Sequence, residues 1–331
     1  MTDRRLDVLA IGNAIVDVIA DADDAFLAAG AMHKGAMRLI DEAEAERLYA
    51  AMGPGRELSG GSAANTVAGI ASLGLKAGFI GQLADDQLGT IFAHDVRSLG
   101  VEFATPLRSD VGATARCLIL VTPDAQRTMN TFLGAAQMLG PDAVDPAQVA
   151  DARILYLEGY LWDPAEPRAA MYKAMDAARD AGTKVAFTLS DSFVVDRHRA
   201  NLWDLFRERR IDILFANEAE IMSLAEHESS HQAALAVAAE VPTVVVTCSE
   251  KGAFALSKGE KFAVPAEPIR QLVDTTGAGD LFAAGYLAGE ARGFGPERSL
   301  KLGAIAAAEV IQHYGARPEA DLRALAGELL A

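Results

Sequence analysis

The stretch Asp274-Thr275-Thr276-Gly277-Ala278-Gly279-Asp280, followed by the apolar segment 281–286, predicts a tight loop that opens a helix. Because Gly277, Ala278 and Gly279 carry almost no side chain, their backbone N–H groups can face an anion at the positive end of that helix. Asp280 follows directly and could accept the proton of a hydroxyl that attacks a phosphate. A glycine-permitted turn, in which Asp280 only stabilises the first helical turn, is the alternative interpretation.

Composition excludes some functions. The chain has 331 residues, 51% of them hydrophobic, and a net charge of −16, so it can bury a large core but offers no basic face to nucleic acid or to an anionic membrane. No apolar run is long enough to span a membrane, and the first residues lack the pattern of a signal peptide. Cys117 and Cys248 have no paired spacing, so we expect them to be reduced and buried in a cytoplasmic protein.

The second half of the chain alternates strands and helices. Short β-branched and aromatic runs at 154–157, 185–189, 211–215 and 243–247 predict parallel strands buried on both faces. Ligands bind at the carboxyl ends of such strands. Asn217 and Glu220 follow one of these strands and could both face one Mg²⁺ or its waters. Their spacing also fits a plain helix cap with an acidic first turn, which leaves both interpretations open.

The first half contributes candidate binding groups. Asp17 lies among aliphatic residues in the strand-like segment 13–20, so it is a candidate for binding substrate hydroxyls, although an exposed strand position would explain it too. Gly60 and Gly61 allow a backbone to lie close to a ligand, and Ser62 is placed to cap a helix that runs to about residue 73.

Two further sequence features have competing interpretations. Arg127 lies on the second strand of a pair within 111–132. Its guanidinium is either solvated at the edge of the sheet or makes bidentate contact with a phosphate. The segment 227–231 matches the HExxH pattern of zinc proteases, yet it falls between two candidate helices and is better explained as a polar loop. The sequence contains neither a P-loop nor a strand-linked G-x-G-x-x-G.

Two segments in combination are more specific than either alone. Residues 60–65 and 274–286 resemble the two signatures of the PfkB (ribokinase-like) family of carbohydrate and nucleoside kinases, in the right order and about 200 residues apart. Within the family the chain is most similar to adenosine kinases, through residues 12–17, 38–41, 189–193 and 313–318. The resemblance implies an α/β, three-layer ribokinase-like fold with a mostly parallel central sheet and a small β-sheet lid. It also implies one domain over 1–331, with lid strands near 13–20, 36–40 and 111–132.

The same resemblance implies roles for individual residues. Asp280 would be the base, Gly277, Ala278 and Gly279 the anion hole, and Arg127 the lid arginine over the transferring group. The residues expected to bind the acceptor are Asn13, Asp17, Gly60, Gly61 and Asn65. The residues expected at ATP are Asn217, Thr247, Ser249 and Gly252, with Asn217 and Glu220 at the metal. Ser249 departs from the family, which often has a glycine there.

The function that the resemblance implies is transfer of the γ-phosphoryl group of ATP, with Mg²⁺, to the 5′-hydroxyl of a nucleoside, adenosine first, giving AMP. The alternatives are a sugar kinase acting on ribose or fructose, a kinase for another nucleoside, and a non-catalytic sensor of either. The region of Tyr160 and Trp162 keeps only part of the aromatic character expected near a base. A monovalent cation as second cofactor, and the choice between monomer and homodimer, stay open.

Overall fold

The structure is a computed structural model that describes residues 4–124 and 126–330. Its strands are β1 Leu6–Ile11, β2 Ile15–Asp21, β3 Met37–Leu39, β4 Gly55–Gly60, β5 Ala77–Ile80, β6 Glu102–Phe103, β7 Ala115–Val121, β8 Arg127–Phe132, β9 Ala152–Glu158, β10 Lys184–Thr188, β11 Ile213–Asn217, β12 Thr243–Thr247, β13 Ala253–Ser257 and β14 Glu260–Val264.

Helices connect most of these strands. The α-helices are α1 Asp24–Ala29, α2 Glu42–Ala51, α3 Ser62–Ser72, α4 Gln87–Ser98, α5 Pro146–Ala150, α6 Ala165–Ala181, α7 Ser192–Arg207, α8 Glu218–Ala225, α9 Ser230–Ala238, α10 Ala278–Arg292, α11 Pro296–Val310 and α12 Leu322–Ala326. The 3₁₀ helices are Gly134–Met138, Pro141–Ala143, Gly159–Trp162, Ser249–Lys251 and Gly327–Leu330.

The larger sheet has nine strands in the order β14-β13-β12-β11-β10-β9-β1-β5-β6. Strands β12 to β6 of this order run parallel, and β13 and β14 add an antiparallel hairpin at one edge. One apolar cluster packs α3, α10 and α11 on one face, and a second cluster packs α6 to α9 on the other. The predicted α/β fold with a mostly parallel central sheet is confirmed.

The smaller sheet has five strands in the order β3-β8-β7-β2-β4. Three segments predicted to contribute strands to it do so, as β2, β3 and the pair β7 and β8. We did not predict β4, because Pro54 and Gly55 indicated a break. The structure continues past them in an extended strand that pairs antiparallel with β2, with Ile15 opposite Gly60. Asn13 lies before β2, not in the strand.

Close packing of α3 on α10 brings the two signature segments together. A Cβ atom added at Gly69 would lie 2.6 Å from Leu281 Cδ1 and 2.7 Å from Ala284 Cβ, so only glycine allows this separation of the helices. The first turns of α3 and α10 meet as a result. Cys117 and Cys248 are free and buried, as predicted. Within the two described ranges, no helix has the length and apolar character required to cross a bilayer.

Candidate active site

A cavity of about 630 Å³ lies where the smaller sheet faces the carboxyl ends of the parallel strands. Residues at or just after the ends of β1, β9, β10, β11 and β12 line it, as expected for a parallel sheet. The predicted site residues on its wall are Asn13, Asp17, Gly61, Asn65, Asn217, Glu220, Thr247, Gly277, Gly279 and Asp280. The predicted residues away from its wall are Gly60, Ala278, Arg127, Ser249 and Gly252.

Asp280 lies in the first turn of α10 and is held from α3. Its Oδ1 accepts a hydrogen bond from Ser62 Oγ at 2.6 Å, and its Oδ2 accepts one from Asn65 Nδ2 at 2.9 Å. Burial raises the pKa of Asp280, while these two hydrogen bonds and the charge of Arg317 oppose the rise. A carboxylate that is both oriented and made more basic is suited to accept a proton.

Ser62 does not cap α3, contrary to our expectation. Gly61 occupies the cap position with φ of +94°, and Ser62 is the first helical residue. Its hydroxyl donates to Asp280 instead. The side-chain Oδ1 of Asn65 is buried and has no hydrogen-bond partner within the described residues. An unpartnered buried acceptor on the cavity wall suits a ligand hydroxyl.

The loop before α10 has the predicted form. Gly277 caps the helix with φ of +79°, and Ala278 is the first helical residue. The Ala278 N–H donates to Thr275 O at 3.2 Å, whereas the N–H groups of Gly277 and Gly279 have no acceptor in the described part of the chain. Two of the three predicted anion donors are therefore free, and binding of an anion there stays a prediction.

Arg127 is not a solvated edge charge. Its side chain is only 9% exposed, and it forms an ion pair with Asp274. Its Nη1 also donates to Thr276 Oγ1 at 3.0 Å. Arg127 thus ties β8 of the smaller sheet to the loop that precedes Gly277. A role at the transferring phosphate stays a prediction.

Asp17 lies on β2 against the glycine pair. A Cβ atom at Gly60 would be 2.4 Å from Asp17 Oδ2, so glycine there makes room for the carboxylate. A Cβ atom at Gly61 would be 2.2 Å from Asn13 O. Burial raises the pKa of Asp17 to about 6, although Arg317 and Arg127 act in the opposite direction.

Glu158 is a site residue that we did not predict. Its Oε1 accepts from Asn13 Nδ2 at 2.6 Å and its Oε2 from Ala63 N at 2.8 Å, so it joins β9, the end of β1 and the start of α3. Burial raises the pKa of Glu158 to about 7. The available signal was a carboxylate directly after an apolar run, which is close to the argument that identified Asp17 as a carboxylate among aliphatic residues.

Asn217 and Glu220 form a capping box at the start of α8. Asn217 Oδ1 accepts from Glu220 N at 2.9 Å, and Glu220 Oε2 accepts from Asn217 N at 3.0 Å. Burial raises the pKa of Glu220 to about 7, and the nearby charge of Asp191 adds to the rise. Both side chains also line the cavity. The capping interpretation is thus realised, while a buried carboxylate with an acidic neighbour also fits a site that receives a cation.

The loop after β12 keeps a glycine-like backbone despite its serine. Ser249 has φ of +50°, and Gly252 has φ of +95°. A Cβ atom at Gly252 would be 2.1 Å from Val264 O. Separately, His227 lies in the loop after α8 and His231 lies in α9, so the two histidines do not share the helix that a zinc protease requires.

Apolar side chains line the same cavity as the polar residues. We use "apolar wall" for Met37, Leu39, Met129, Tyr160 and Phe193. Met37 pairs with Met129 across β3 and β8, so these side chains lie on one face of the smaller sheet. Leu39 is 63% exposed and Phe193 70% exposed, although both line a cavity. Trp162, in contrast, is fully buried against Tyr172 and Phe187.

Known proteins share this sequence and fold. Residues 7–322 match the pfkB family of carbohydrate kinases. A probable sugar kinase from Rhizobium etli has 48% identity and a TM-score of 0.90, with 98% of each chain covered. An adenosine kinase from Sinorhizobium meliloti has 47% identity and a TM-score of 0.90, covering 97% of this chain and 98% of that one. A 5-dehydro-2-deoxygluconokinase from Shouchella clausii is 28% identical, over 94% of this chain and 91% of its own.

The family match covers nearly the whole chain and includes both signature segments, Asp280 and the residues that hold it. The similar structures named above include both a probable sugar kinase and an adenosine kinase, so the acceptor is not fixed by similarity. The chain belongs to the PfkB family of carbohydrate kinases, which are phosphotransferases with an alcohol group as acceptor.

Proposed function

We propose that the protein is an adenosine kinase, which transfers the γ-phosphoryl group of ATP to the 5′-hydroxyl of adenosine and releases AMP and ADP. The observation that carries the proposal is that the apolar wall and the hydroxyl-binding residues line the same cavity. Asp17, Asn65 and Asp280 suit a sugar with several hydroxyls. The apolar wall suits a flat aromatic base attached to that sugar.

The exposure of the apolar wall supports a ligand that covers it. Leu39 is 63% exposed to water and Phe193 70%, which is unfavourable by about 25 cal/mol for each Å² of apolar surface left uncovered. A free sugar is polar on most of its surface and would gain little from these side chains. A purine gains dispersion and stacking contacts from them.

The transfer itself would use groups on both helices. As the 5′-oxygen attacks, its bond to the γ-phosphorus forms, the bond from phosphorus to the β,γ-bridging oxygen breaks, and the hydroxyl proton moves to Asp280. Ser62 and Asn65 hold the carboxylate in place for this step. The N–H groups of Gly277 and Gly279 and the positive end of α10 would stabilise the charge on the transferred group.

Asn217 and Glu220 are the residues that would hold Mg²⁺, directly or through its waters, because Glu220 is a buried carboxylate on the same cavity wall. When bound, Mg²⁺ would neutralise charge on the phosphates of ATP. Thr247 lines the cavity one strand away and would contact the nucleotide from β12. Ser249 and Gly252 would shape the loop beside it.

A panel of acceptors tests the proposal. Purified protein is assayed with ATP and Mg²⁺ for kcat/KM with adenosine, inosine, ribose and fructose, with formation of the phosphorylated product as readout. We expect adenosine to give the highest value. A Leu39→Ser variant should lose kcat/KM for adenosine and keep the much lower value for ribose, because only the nucleoside covers this side chain. A higher kcat/KM for a free sugar would refute the adenosine assignment.

Sugar or sugar-acid phosphorylation is the second candidate. A 5-dehydro-2-deoxygluconokinase matches over most of its length, and Arg197 lines the outer part of the cavity, where it is paired with Asp163. An arginine there could exchange its partner for the carboxylate of a sugar acid. Adding 5-dehydro-2-deoxygluconate to the panel separates this candidate from the first.

A further inference from the structure

The segment Tyr314–Arg317, between α11 and α12, contacts three parts of the site in succession. The Tyr314 ring lies 5.9 Å from the guanidinium of Arg127, and Gly315 N donates to Asp274 Oδ2 at 3.2 Å. Ala316 fills the space beside Gly277, where an added Cβ would lie 2.6 Å from Ala316 Cβ. The segment thus touches the smaller sheet and the anion loop before it reaches Arg317.

Arg317 extends these contacts to the acceptor-binding turn. Its Nε and Nη2 donate to Ser59 O at 3.1 and 2.8 Å, and Nη2 also donates to Ser59 Oγ at 2.9 Å. Its Nη1 donates to Ala64 O, on the far side of the glycine pair. The fork therefore spans the turn from β4 to α3 and fixes both of its ends.

Within residues 4–124 and 126–330, Arg317 forms no direct ion pair with a carboxylate, and its donors go to carbonyl and hydroxyl oxygens. Asp95, Asp17 and Asp280 are the acidic groups whose charges act on it, and burial lowers its own pKa to about 10. A buried cation among carboxylates stabilises their ionised forms.

We propose that Arg317 is a positioning residue of the phosphoryl transfer, which fixes the acceptor-binding turn through Ser59 and Ala64 and supplies a positive charge that acts on Asp17 and Asp280. The effect of Arg317 on catalysis presupposes the kinase reaction proposed above. The positioning of the turn and the electrostatic effect can be separated experimentally. The hydrogen bonds require the guanidinium group of arginine, whereas any cation at this position supplies the charge.

Other charged groups act on the same two carboxylates. Asp17 is influenced by Arg127 from β8 as well as by Asp280. Tyr156 and Glu158 on β9, and Tyr160 just after that strand, also interact with Asp280. Among these groups Arg127 is the other cation, and it is already paired with Asp274. Loss of Arg317 would therefore leave Asp280 without the cation that acts on it.

The test compares Arg317→Met and Arg317→Lys with wild type over pH 5–9, using the best acceptor of the panel. Removing the charge raises the pKa of Asp280, so the acidic limb of kcat/KM moves to higher pH in Arg317→Met. Activity on that limb falls by about tenfold for each unit moved. Arg317→Lys keeps the limb near its wild-type position and raises KM for the acceptor, because a lysine cannot bond Ser59 O and Ala64 O together.

Arg292→Met is the matched control, since Arg292 also donates to two carbonyls, Ala288 O and Leu73 O, away from the cavity. It should lower the unfolding temperature without moving the limb. The proposal is overturned if the acidic limb of the kcat/KM profile stays at the wild-type pH in Arg317→Met, or if it moves equally in Arg292→Met. If Arg317→Met does not fold, an unchanged acceptor KM in Arg317→Lys overturns the part assigned to the fork.

A second readout keeps this proposal distinct from the kinase assignment. Aspartate carboxyl carbons labelled with ¹³C report the titration of Asp17 and Asp280 by NMR without turnover, with Asp17→Asn and Asp280→Asn used to assign the signals. Higher pKa values in Arg317→Met support the electrostatic part even if no acceptor in the panel is phosphorylated. Unchanged pKa values contradict it even if the protein proves to be an active kinase.

Discussion

Asp280 is fixed by one hydroxyl and one amide from the neighbouring helix, which leaves its remaining lone pairs to an incoming hydroxyl. The conservative change Asp280→Asn keeps the size of the side chain and removes its basicity. We expect kcat to fall by about 10²-fold or more, the usual contribution of a general base. Calorimetry should show acceptor binding within a few-fold of wild type.

Ser62→Ala is the graded control for this prediction. It removes one of the two donors that hold Asp280 and should lower kcat less than Asp280→Asn does, since Asn65 Nδ2 stays in place. Turnover by Asp280→Asn at the wild-type rate would mean that another group takes the proton.

The raised pKa of Asp17 predicts that acceptor binding depends on pH. Its pKa is raised to about 6, so the carboxylate becomes protonated as the pH falls through that value. An ionised carboxylate accepts hydrogen bonds from hydroxyls more strongly than a protonated one. We therefore expect the affinity for the acceptor, measured by calorimetry, to be constant above pH 7 and to weaken between pH 7 and pH 5.

The control for this prediction is Asp17→Asn, which cannot titrate. Its affinity should be weaker than that of wild type at neutral pH and nearly flat across the same range. An equal pH dependence in wild type and in Asp17→Asn would assign the effect to a different group.

At the residue scale, sequence identifies groups whose type and neighbours are unusual. Asp17 was identified because a carboxylate among aliphatic residues requires a partner or a ligand. Glu158 satisfies the same criterion but was missed, because the predicted strand stopped at 157 and the structure extends it by one residue. Partners cannot be read from sequence: Ser62 fits a cap, and only the packing of α3 on α10 directs its hydroxyl to Asp280.

The turn before α10 gives a prediction at the scale of an element. Gly277→Ala places a side chain at φ of +79° and puts its Cβ 2.6 Å from Ala316. The left-handed conformation alone costs about 1–2 kcal/mol, and the overlap adds to it. We expect the free energy of unfolding in urea to fall by about 2 kcal/mol or more.

Gly279→Ala is the matched control in the same turn. An added Cβ there meets no atom within 4 Å, so stability should change little. Its turnover should still fall, because the new methyl group lies beside an N–H proposed to bind phosphate. Equal stability of the two variants would show that the turn is not constrained as described.

Helices and strands with strong local sequence patterns could be predicted. Strands that form only because they pair with another strand could not. The βαβ alternation predicted the parallel strands, but 211–215 was placed two residues early, since β11 continues to the cap residue Asn217. Strand β4 has glycine at both ends and no hydrophobic alternation. It is extended because it pairs with β2, an interaction that its own sequence does not indicate.

At the scale of the whole molecule, we predict that the smaller sheet closes over bound ligands. Arg127 joins that sheet to the anion loop, and the apolar wall lies partly on β3 and β8. Closure over ligands would exclude water from the transfer step. Hydrogen exchange should slow in β2, β3 and β8 when adenosine and a non-hydrolysable ATP analogue bind together, and stay unchanged in α6, none of whose residues lines the cavity.

The contradicting outcome is equal protection with and without ligands. A rigid smaller sheet would restrict entry of the acceptor to the existing opening of the cavity. The smaller sheet would then not act as a lid. The prediction applies to any acceptor that covers the apolar wall, because such a ligand should have the same effect on β3.

At the scale of the molecule, sequence predicted the fold class and the region of the site, and the resemblance to adenosine kinases implied adenosine as the acceptor. Each signature segment carries its proposed phosphoryl-transfer groups within a few consecutive residues, although the two segments lie about 200 residues apart. The apolar wall combines β3, β8, the turn after β9 and the start of α7, which are far apart along the chain. Its existence depends on the tertiary arrangement, so no local pattern in the sequence indicates this surface.

The most direct test of the central proposal is a competition assay. Wild-type protein is incubated with ATP, Mg²⁺ and equal concentrations of adenosine, ribose and 5-dehydro-2-deoxygluconate, and the phosphorylated products are identified by mass spectrometry, with Asp280→Asn in parallel. We predict AMP as the main product from wild type and at least about 10²-fold less from the variant. A phosphorylated sugar as the main product, or equal AMP from both proteins, would contradict the account.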